Sequence, residues 1–302
     1  MLFATTAANN APAAYDHLEV RPLTGALGAE VFAPGGGALD VTALTDEQWA
    51  EVRRASVDHL VVFFRDQSLD LDSFTAFAER WGPFGDDPFV AGLDSHPYVV
   101  KVLKEADEKV PLVFGGAWHS DWSFQQEPPA FTILYGHDVP AHGGDTLWSN
   151  LYLAADHLSA GLRSALAGLR AVHSPQKAYG AQATHNELVE NMRILYGEDA
   201  HLRRAQPVLR RHPDSGRTAL FVNWGYTESI EGWRPEESAA LLSHLYEVSQ
   251  HPAYTCRFRW QPGSIAVWDN RCTLHNPIAD YAGQRREMWR ITVRGEEPIP
   301  GE

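Results

Sequence analysis

The chain has 302 residues, 44% of them hydrophobic, and a formal net charge of −14. That length suits one large β-rich domain or two ordinary ones, with enough apolar side chain for a sizeable core. The acidic balance, without any Lys/Arg-rich run, excludes nucleic acid and anionic membrane surfaces as expected partners. The two cysteines, Cys256 and Cys272, can build neither a disulfide framework nor a thiolate zinc site.

Residues 1–16 have no basic segment leading into an apolar run, so they read as a disordered leader and not as a signal peptide. No stretch approaches the roughly 18 apolar residues that span a bilayer, so no membrane partner and a cytoplasmic location are expected. Residues 17–302 contain no repeat or linker that would divide them and read as one domain. His17–Leu23 and Gly28–Phe32 form strand-like runs around a Thr-Gly turn. Thr45 and Gln48 make a capping box for a helix that carries Trp49, Val52, Val57 and Leu60 at helical spacing. Leu60–Phe64 suits a short buried strand, and Phe74, Phe77 and Trp81 mark one face of the next helix. Residues 101–116, Lys-rich and then Gly-Gly, read either as a lid or as a plain surface loop. Phe131–Tyr135 and Thr146–Trp148 follow as strands, the second after a Gly143-Gly144 turn.

Leu158, Leu162, Leu166 and Leu169 predict one helix, and Thr218–Asn223 a strand. Pro235 opens another helix, with Leu241, Leu242, Leu245 and Val248 inward. Thr255–Trp260, Ile265–Asp269 and Arg286–Arg294 are the clearest strands. Pro262 and Gly263 stand between the first two where a type II turn wants them. Many short strands, a few covering helices and Gly/Pro turns predict a mainly β, α+β fold with a double-sheet jelly-roll, cupin-like core.

The chemistry is suggested by His119-Ser-Asp121 together with His275, because two imidazoles and one carboxylate can bind one face of a ferrous ion. The spacing alone is weak. With 14 His and 39 acidic residues, about two His-x-acid pairs arise by chance, and four occur: at 17/19, 119/121, 185/187 and 212/214. The pair at 119/121 differs in setting. Trp118, Trp122 and Phe124 flank it, and Gly115-Gly116 precedes it. Downstream, Arg286, Met288 and Arg290 share one strand face and Trp289, Ile291 and Val293 the other. The apolar face packs. The arginine face points either to solvent, as on an edge strand, or into a lumen, where it needs anionic partners.

These blocks resemble the iron(II)/2-oxoglutarate dioxygenases of the taurine and aryloxyalkanoate (TauD/TfdA) group. The resemblance runs from about Leu18 to Pro298 and is carried by Pro22–Glu30, Trp118–Asp121, Gly143–Leu147, Trp268–Arg271, His275 and Gln284–Arg286. It implies a double-stranded β-helix in which His119, Asp121 and His275 are the catalytic iron ligands. It further implies that Arg286 and Thr146 hold the distal carboxylate of 2-oxoglutarate, Arg286 as a bidentate partner. The implied chemistry uses Fe(2+) and O2 and converts 2-oxoglutarate to succinate and CO2 while a substrate C–H bond is hydroxylated. Relatives that halogenate lack the carboxylate at the position of Asp121, so halogenation is not expected.

The resemblance implies a small anionic organic substrate, such as a sulfonate, sulfate ester or aryloxyalkanoate. Arg290 matches the position that grips the substrate anion in taurine enzymes. Asp86-Asp87-Pro88 departs from their histidine before the proline, and Gly116-Ala117 from their amide-bearing residue. An aspartate beside an incoming sulfonate would repel it. Arg21–Gly25, His173-Ser174 and Asp280–Gly283 look closer to phenoxypropionate-cleaving relatives. Asp87, Trp122, Phe124, Tyr179 and Tyr226 join Arg290 as candidate substrate contacts, with ordinary core packing as the alternative for the aromatics. The family is commonly oligomeric, so a homo-oligomer is the expectation. Other readings are an oxygenase of natural-product synthesis acting on an amino-acid-like or other carboxylate, a jelly-roll binding protein without catalysis, and a zinc hydrolase. The last leaves Arg286 and Thr146 unexplained.

Overall fold

The computed structural model describes residues 10–11, 13–108, 113–180, 183, 191–195 and 198–302. The His185/Glu187 pair lies outside them. The fold is a sheet-rich α+β arrangement. Its larger sheet has seven strands in the order Glu19–Pro22, Ala29–Phe32, Val61–Phe64, Ile265–Asp269, Phe131–Asp138, Arg286–Val293 and Val100–Lys104. Every neighbouring pair is antiparallel except Ala29–Phe32 with Val61–Phe64. A smaller antiparallel sheet joins Thr255–Phe258, Thr146–Asn150 and Thr273–Pro277.

The period-2 alternation of the large sheet feeds two cores. Val62, Phe64, Ile133, Val267, Trp289, Ile291 and Val293 pack on one face against Val52, Phe74, Phe77 and Trp81 from the helices Asp46–His59 and Leu71–Glu79 and the turn after them. On the other face Val61, Phe63, Leu134, Ala266, Trp268 and Met288 meet Trp148, Cys256, Phe258 and Leu274 of the small sheet. Arg286–Val293 is therefore buried along its whole length, and the edge-strand reading of its arginines is excluded. Burial pushes the Cys256 thiol up to about 12, as an inert core thiol requires.

Several expectations need correction. The capping box at Thr45 and Gln48 is present, but the buried stripe of that helix is Val52, Ala55, Ser56 and His59. Leu60 ends the helix at φ 67°, and Val57 is only half-buried. Of the expected leucine stripe only Leu162 and Leu166 lie in a helix, Ala160–Leu166, which starts where the Ser159 hydroxyl accepts from the Leu162 N–H. Leu169 lies beyond its C-cap Ala167, and Leu158 lies between it and a separate helix, Leu151–Asp156. Of the 101–116 segment, residues 101–104 belong to an edge strand, and 109–112 lie outside the described residues.

The expected leader also docks where it is described. Asn10 is buried, and its amide donates to the carbonyls of Thr24 at 2.6 Å and Gly28 at 2.8 Å. The Glu51 carboxylate accepts from the N–H groups of Asp16 and His17. No helix among the described residues is long and apolar enough to cross a membrane.

A buried charge cluster closes the end of Ile265–Asp269. Asp269 accepts from Arg271 Nε at 2.8 Å, Arg271 Nη2 at 2.6 Å and His212 Nε2 at 2.9 Å. Burial would raise this carboxyl, but Arg271 and then His212 hold it well below the usual carboxylate range. A carboxyl lowered in the folded state contributes stability above its unfolded pKa of about 3.9 and loses it as pH falls through the folded value. Asp269→Asn should therefore cost about 3 kcal/mol at neutral pH, because it removes the one fully buried carboxylate from Arg271 and leaves only the more exposed Asp214 and Glu296 to answer it. In urea unfolding series the wild-type midpoint should drop on acidification below about pH 4, and the variant's should drop less.

Candidate metal and co-substrate site

The site is assembled where the two sheets meet. His119 lies on the loop after Gly115, which turns at φ +71° and comes so near that a Cβ would stand 3.1 Å from His119 Cε1. The His119 N–H donates to the His275 carbonyl at 3.1 Å, and the His275 N–H donates back at 2.8 Å. This antiparallel bridge fastens the loop to Thr273–Pro277. His119 Nδ1 donates to the Ala117 carbonyl at 2.7 Å, which turns its Nε2 toward Asp121. That Nε2 is 3.5 Å and His275 Nε2 3.9 Å from Asp121 Oδ1, with ring centroids 4.1 Å apart.

Asp121 is buried and held from behind. Thr132 Oγ1 donates to its Oδ2 at 2.7 Å, and its own N–H reaches Asn270 Oδ1 at 3.2 Å. Asn270 is fixed in turn by Trp268 Nε1 at 3.0 Å and donates to Thr132 Oγ1 at 2.8 Å. Oδ1 is thereby left facing the imidazoles. Burial would raise the Asp121 carboxyl, but Arg290, then His275 and His119, hold it well below the usual range. Burial, reinforced by His119, pushes His275 well below the usual imidazole value. The trio thus presents an ionised carboxylate and a neutral imidazole at His275, the forms that ligate a cation.

A second trio, His212, Asp269 and Cys272, also lies within ligand distance. Both Asp269 oxygens already accept from Arg271, so a metal would have to displace a buried guanidinium. His212 is itself buried by this pairing.

Arg286 is only 5% exposed, yet its Nε and Nη2 find no hydrogen-bond partner among the described residues. Gly144 makes room for it: at φ +69°, a Cβ there would stand 3.1 Å from Arg286 Cδ. Thr146 Oγ1 accepts from Trp260 Nε1 at 3.0 Å, which leaves its own O–H free to donate elsewhere. Arg286 lines a small cavity with Lys104, Glu108, Phe114 and Tyr281. That cavity shares Val113, Phe114 and Pro277 with a larger one of about 770 Å³, onto which His119 opens. A buried guanidinium with unused donors, in a cavity that adjoins the one onto which His119 opens, fits an oxo acid that chelates a metal at one end and carries a carboxylate at the other.

The structure brings His119, Asp121 and His275 together, with Arg286 and Thr146 placed separately from them. The expected substrate contacts divide. Tyr179 and Tyr226 line the large cavity, whereas Asp87, Arg290, Trp122 and Phe124 are not among its lining residues. Asp87 Oδ1 accepts from Arg290 Nη1 at 2.7 Å and from the Trp122 indole at 2.5 Å. Arg290 Nη2 stands 2.9 Å from Asp121 Oδ1, a charge contact whose angle is not that of a hydrogen bond. Phe124 packs edge-on to Tyr226 and forms a wall behind the cavity. Thr132, Asn270 and Trp260 escaped sequence reasoning. The signal for Thr132 was a short polar side chain between the apolar Phe131 and Ile133 of a strand-like run.

Among the described residues, two facing sheets bring together a His–Asp–His cluster with the donor set of the facial triad that non-haem iron oxygenases use. Residues 19–292 match the taurine catabolism dioxygenase TauD, TfdA family, and the chain belongs to that family. It is accordingly a 2-oxoglutarate-dependent dioxygenase, with iron(II), 2-oxoglutarate and O2 as its cofactor and co-substrates. It is 32% identical to the α-ketoglutarate-dependent sulfate ester dioxygenase of Pseudomonas putida, over 93% of this chain and 91% of that protein. It is 30% identical to an alkylsulfatase of Acinetobacter baylyi, over 92% of this chain and 86% of that one. The crystal structure of a taurine dioxygenase from Burkholderia xenovorans superimposes with a TM-score of 0.78 at 33% identity, covering 94% of this chain and 92% of that one.

Thr132→Val should weaken Fe(II) binding about tenfold, since outer partners of a ligating carboxylate typically contribute that much. Competition with a chromophoric chelator measures it. Undiminished affinity would mean that Asp121 is oriented without the Thr132 hydroxyl.

Proposed function

We propose that the protein hydroxylates a small organic anion, using iron held by His119, Asp121 and His275 and 2-oxoglutarate held by Arg286 and Thr146. The observation that carries this reading is the pair of unpartnered Arg286 donors, buried in a small cavity that adjoins the one onto which His119 opens. A buried cation with idle donors is costly, and a carboxylate removes that cost while fixing the co-substrate's orientation. We also read the two facing sheets as a double-stranded β-helix, in agreement with the family.

When bound, the iron supplies oxygen activation; the balanced outcome is substrate C–H, O2 and 2-oxoglutarate going to substrate C–OH, succinate and CO2. The protein's part is to place the reactants. Burial keeps His275 a neutral donor, and Thr132 and Asn270 keep Asp121 Oδ1 aimed at the His119 and His275 rings. Trp122, Phe124, Tyr179 and Tyr226 pack together beside the trio and exclude water from it. Relatives named for sulfate ester and alkyl sulfate chemistry support sulfate esters as the substrate group, and others named for sulfonate, phenoxypropionate and dichlorophenoxyacetate chemistry support sulfonates and aryloxyalkanoates. Where the hydroxylated carbon carries oxygen or sulfur, the product collapses to a carbonyl compound and releases that group.

Anaerobic titration of the Fe(II) protein with 2-oxoglutarate, followed by the charge-transfer absorption, tests the assignment. Arg286→Met should lower 2-oxoglutarate affinity about a hundredfold with iron retained, the size of two lost charge-assisted hydrogen bonds. Asp121→Ala should lose iron. Unchanged 2-oxoglutarate affinity in Arg286→Met would remove that residue from the site.

A further inference from the structure

We propose that Lys177, and not Arg290, holds the anionic group of the substrate, because Asp87 has already neutralised Arg290. This rests on the reading of the site given above and names its substrate class: a singly charged oxyanion on an apolar body of several carbons.

The first observation is the state of Arg290. Its guanidinium is 4% exposed and lies between two carboxylates, Asp87 at 2.7 Å and Asp121 at 2.9 Å. Asp87 also takes the Trp122 indole N–H, and the Arg290 guanidinium lies 5.4 Å from the Trp122 ring centroid. Neither Asp87 nor Arg290 is among the residues lining the large cavity. An anion brought to Arg290 would enter a buried space beside the Asp87 carboxylate and be repelled by it.

The second observation is the cavity itself. Its described walls are largely apolar and aromatic, with Phe114, Tyr179, Trp224, Tyr226 and Ile278 among them, and they include no Asp or Glu. Lys177 is the one Lys or Arg among those lining residues. It sits on the short helix Gln176–Tyr179, which also carries Tyr179 into the cavity. Its ammonium donates to the Thr227 carbonyl at 2.8 Å and the Trp224 carbonyl at 3.4 Å. An ammonium has three donors, so two carbonyls aim it and one N–H remains for a ligand. Glu228, the nearby carboxylate, is engaged by Arg203 at 2.9 Å. Trp224 is 56% exposed, which marks this end as the rim. The cavity thus offers a cation at its mouth, apolar walls behind it and His119 within.

Calorimetric titration of the anaerobic Fe(II)/2-oxoglutarate protein with hexyl sulfate, hexanesulfonate, hexanoate and uncharged hexan-1-ol tests the proposal. At least one anion should bind more tightly than hexan-1-ol, and which one does so identifies the oxyanion. Lys177→Gln should weaken that anion about tenfold, the effect of one charge-assisted hydrogen bond, and leave hexan-1-ol and 2-oxoglutarate unchanged. Lys177→Arg should restore anion binding, which a purely structural role would not predict. If Lys177→Gln changes nothing while Asp87→Asn tightens anion binding, Arg290 is the holder and the proposal is overturned. If no anion outbinds hexan-1-ol while 2-oxoglutarate still binds, the proposal falls and the co-substrate site stands. Failure of 2-oxoglutarate itself to bind would bring down both.

Discussion

The contact between the Asp121 carboxylate and its buried surroundings is the constraint on which the rest of the site depends. An ionised carboxylate removed from water costs several kcal/mol unless charges and hydrogen bonds compensate it. The compensation comes from segments far apart in sequence. Arg290 and Thr132 stand on adjacent strands of the large sheet, Asn270 follows the strand beside them, and His275 belongs to the small sheet. The register pairs Thr132 with both Trp268 and Thr292, so the strand order itself delivers the partners to Asp121. No sub-portion of the fold contains them all, and the site can be complete only when both sheets are joined.

That dependence explains the economy of the His119–His275 bridge. A metal-binding loop must be held with little freedom, and side-chain contacts alone would leave its backbone to move. Two main-chain hydrogen bonds tie His119 to the residue that would share its metal ion. The two rings are therefore positioned by β pairing, and the metal has little ordering entropy left to offset. Burial and the neighbouring charges also keep His275 neutral and Asp121 ionised before any cation arrives, so a cation meets these two donors already in their ligating forms.

The legible parts of the chain were those whose signal is local. The period-2 runs around Phe131, Ile265 and Arg286, the capping box at Thr45 and the Pro-Gly turn at 262–263 all act within a few residues. The His119-Ser-Asp121 motif needed its aromatic and glycine setting and the resemblance over the whole chain, because its spacing is common by chance. The misread parts were decided by tertiary contacts. The leucine stripe from 158 to 169 is helical in period, but Ser159 caps a new helix within it. Asn10 looked like part of a solvated leader, yet it finds two carbonyls and His59 across the chain. Thr132 and Asn270 have ordinary sequence settings, and their role exists only through the register that brings them to Asp121.

Arg286 and Arg290 show the same limit in its sharpest form. They lie on one face of one strand, four residues or about 13 Å apart, both buried and both with a formal charge that needs an answer. Nothing in their own strand separates them. What separates them is Asp87, from a loop some 200 positions earlier, which answers Arg290 and leaves Arg286 alone. One arginine thereby closes an internal ion pair, and the other keeps idle donors that, on the function proposed above, would receive an external carboxylate. The strand supplies two equivalent cations, and the rest of the chain assigns them different chemistry by deciding which one receives an internal anion. On the proposal above, a single acidic residue at position 87 would move the substrate's charged group to the rim of the cavity without any change in the His–Asp–His trio or Arg286.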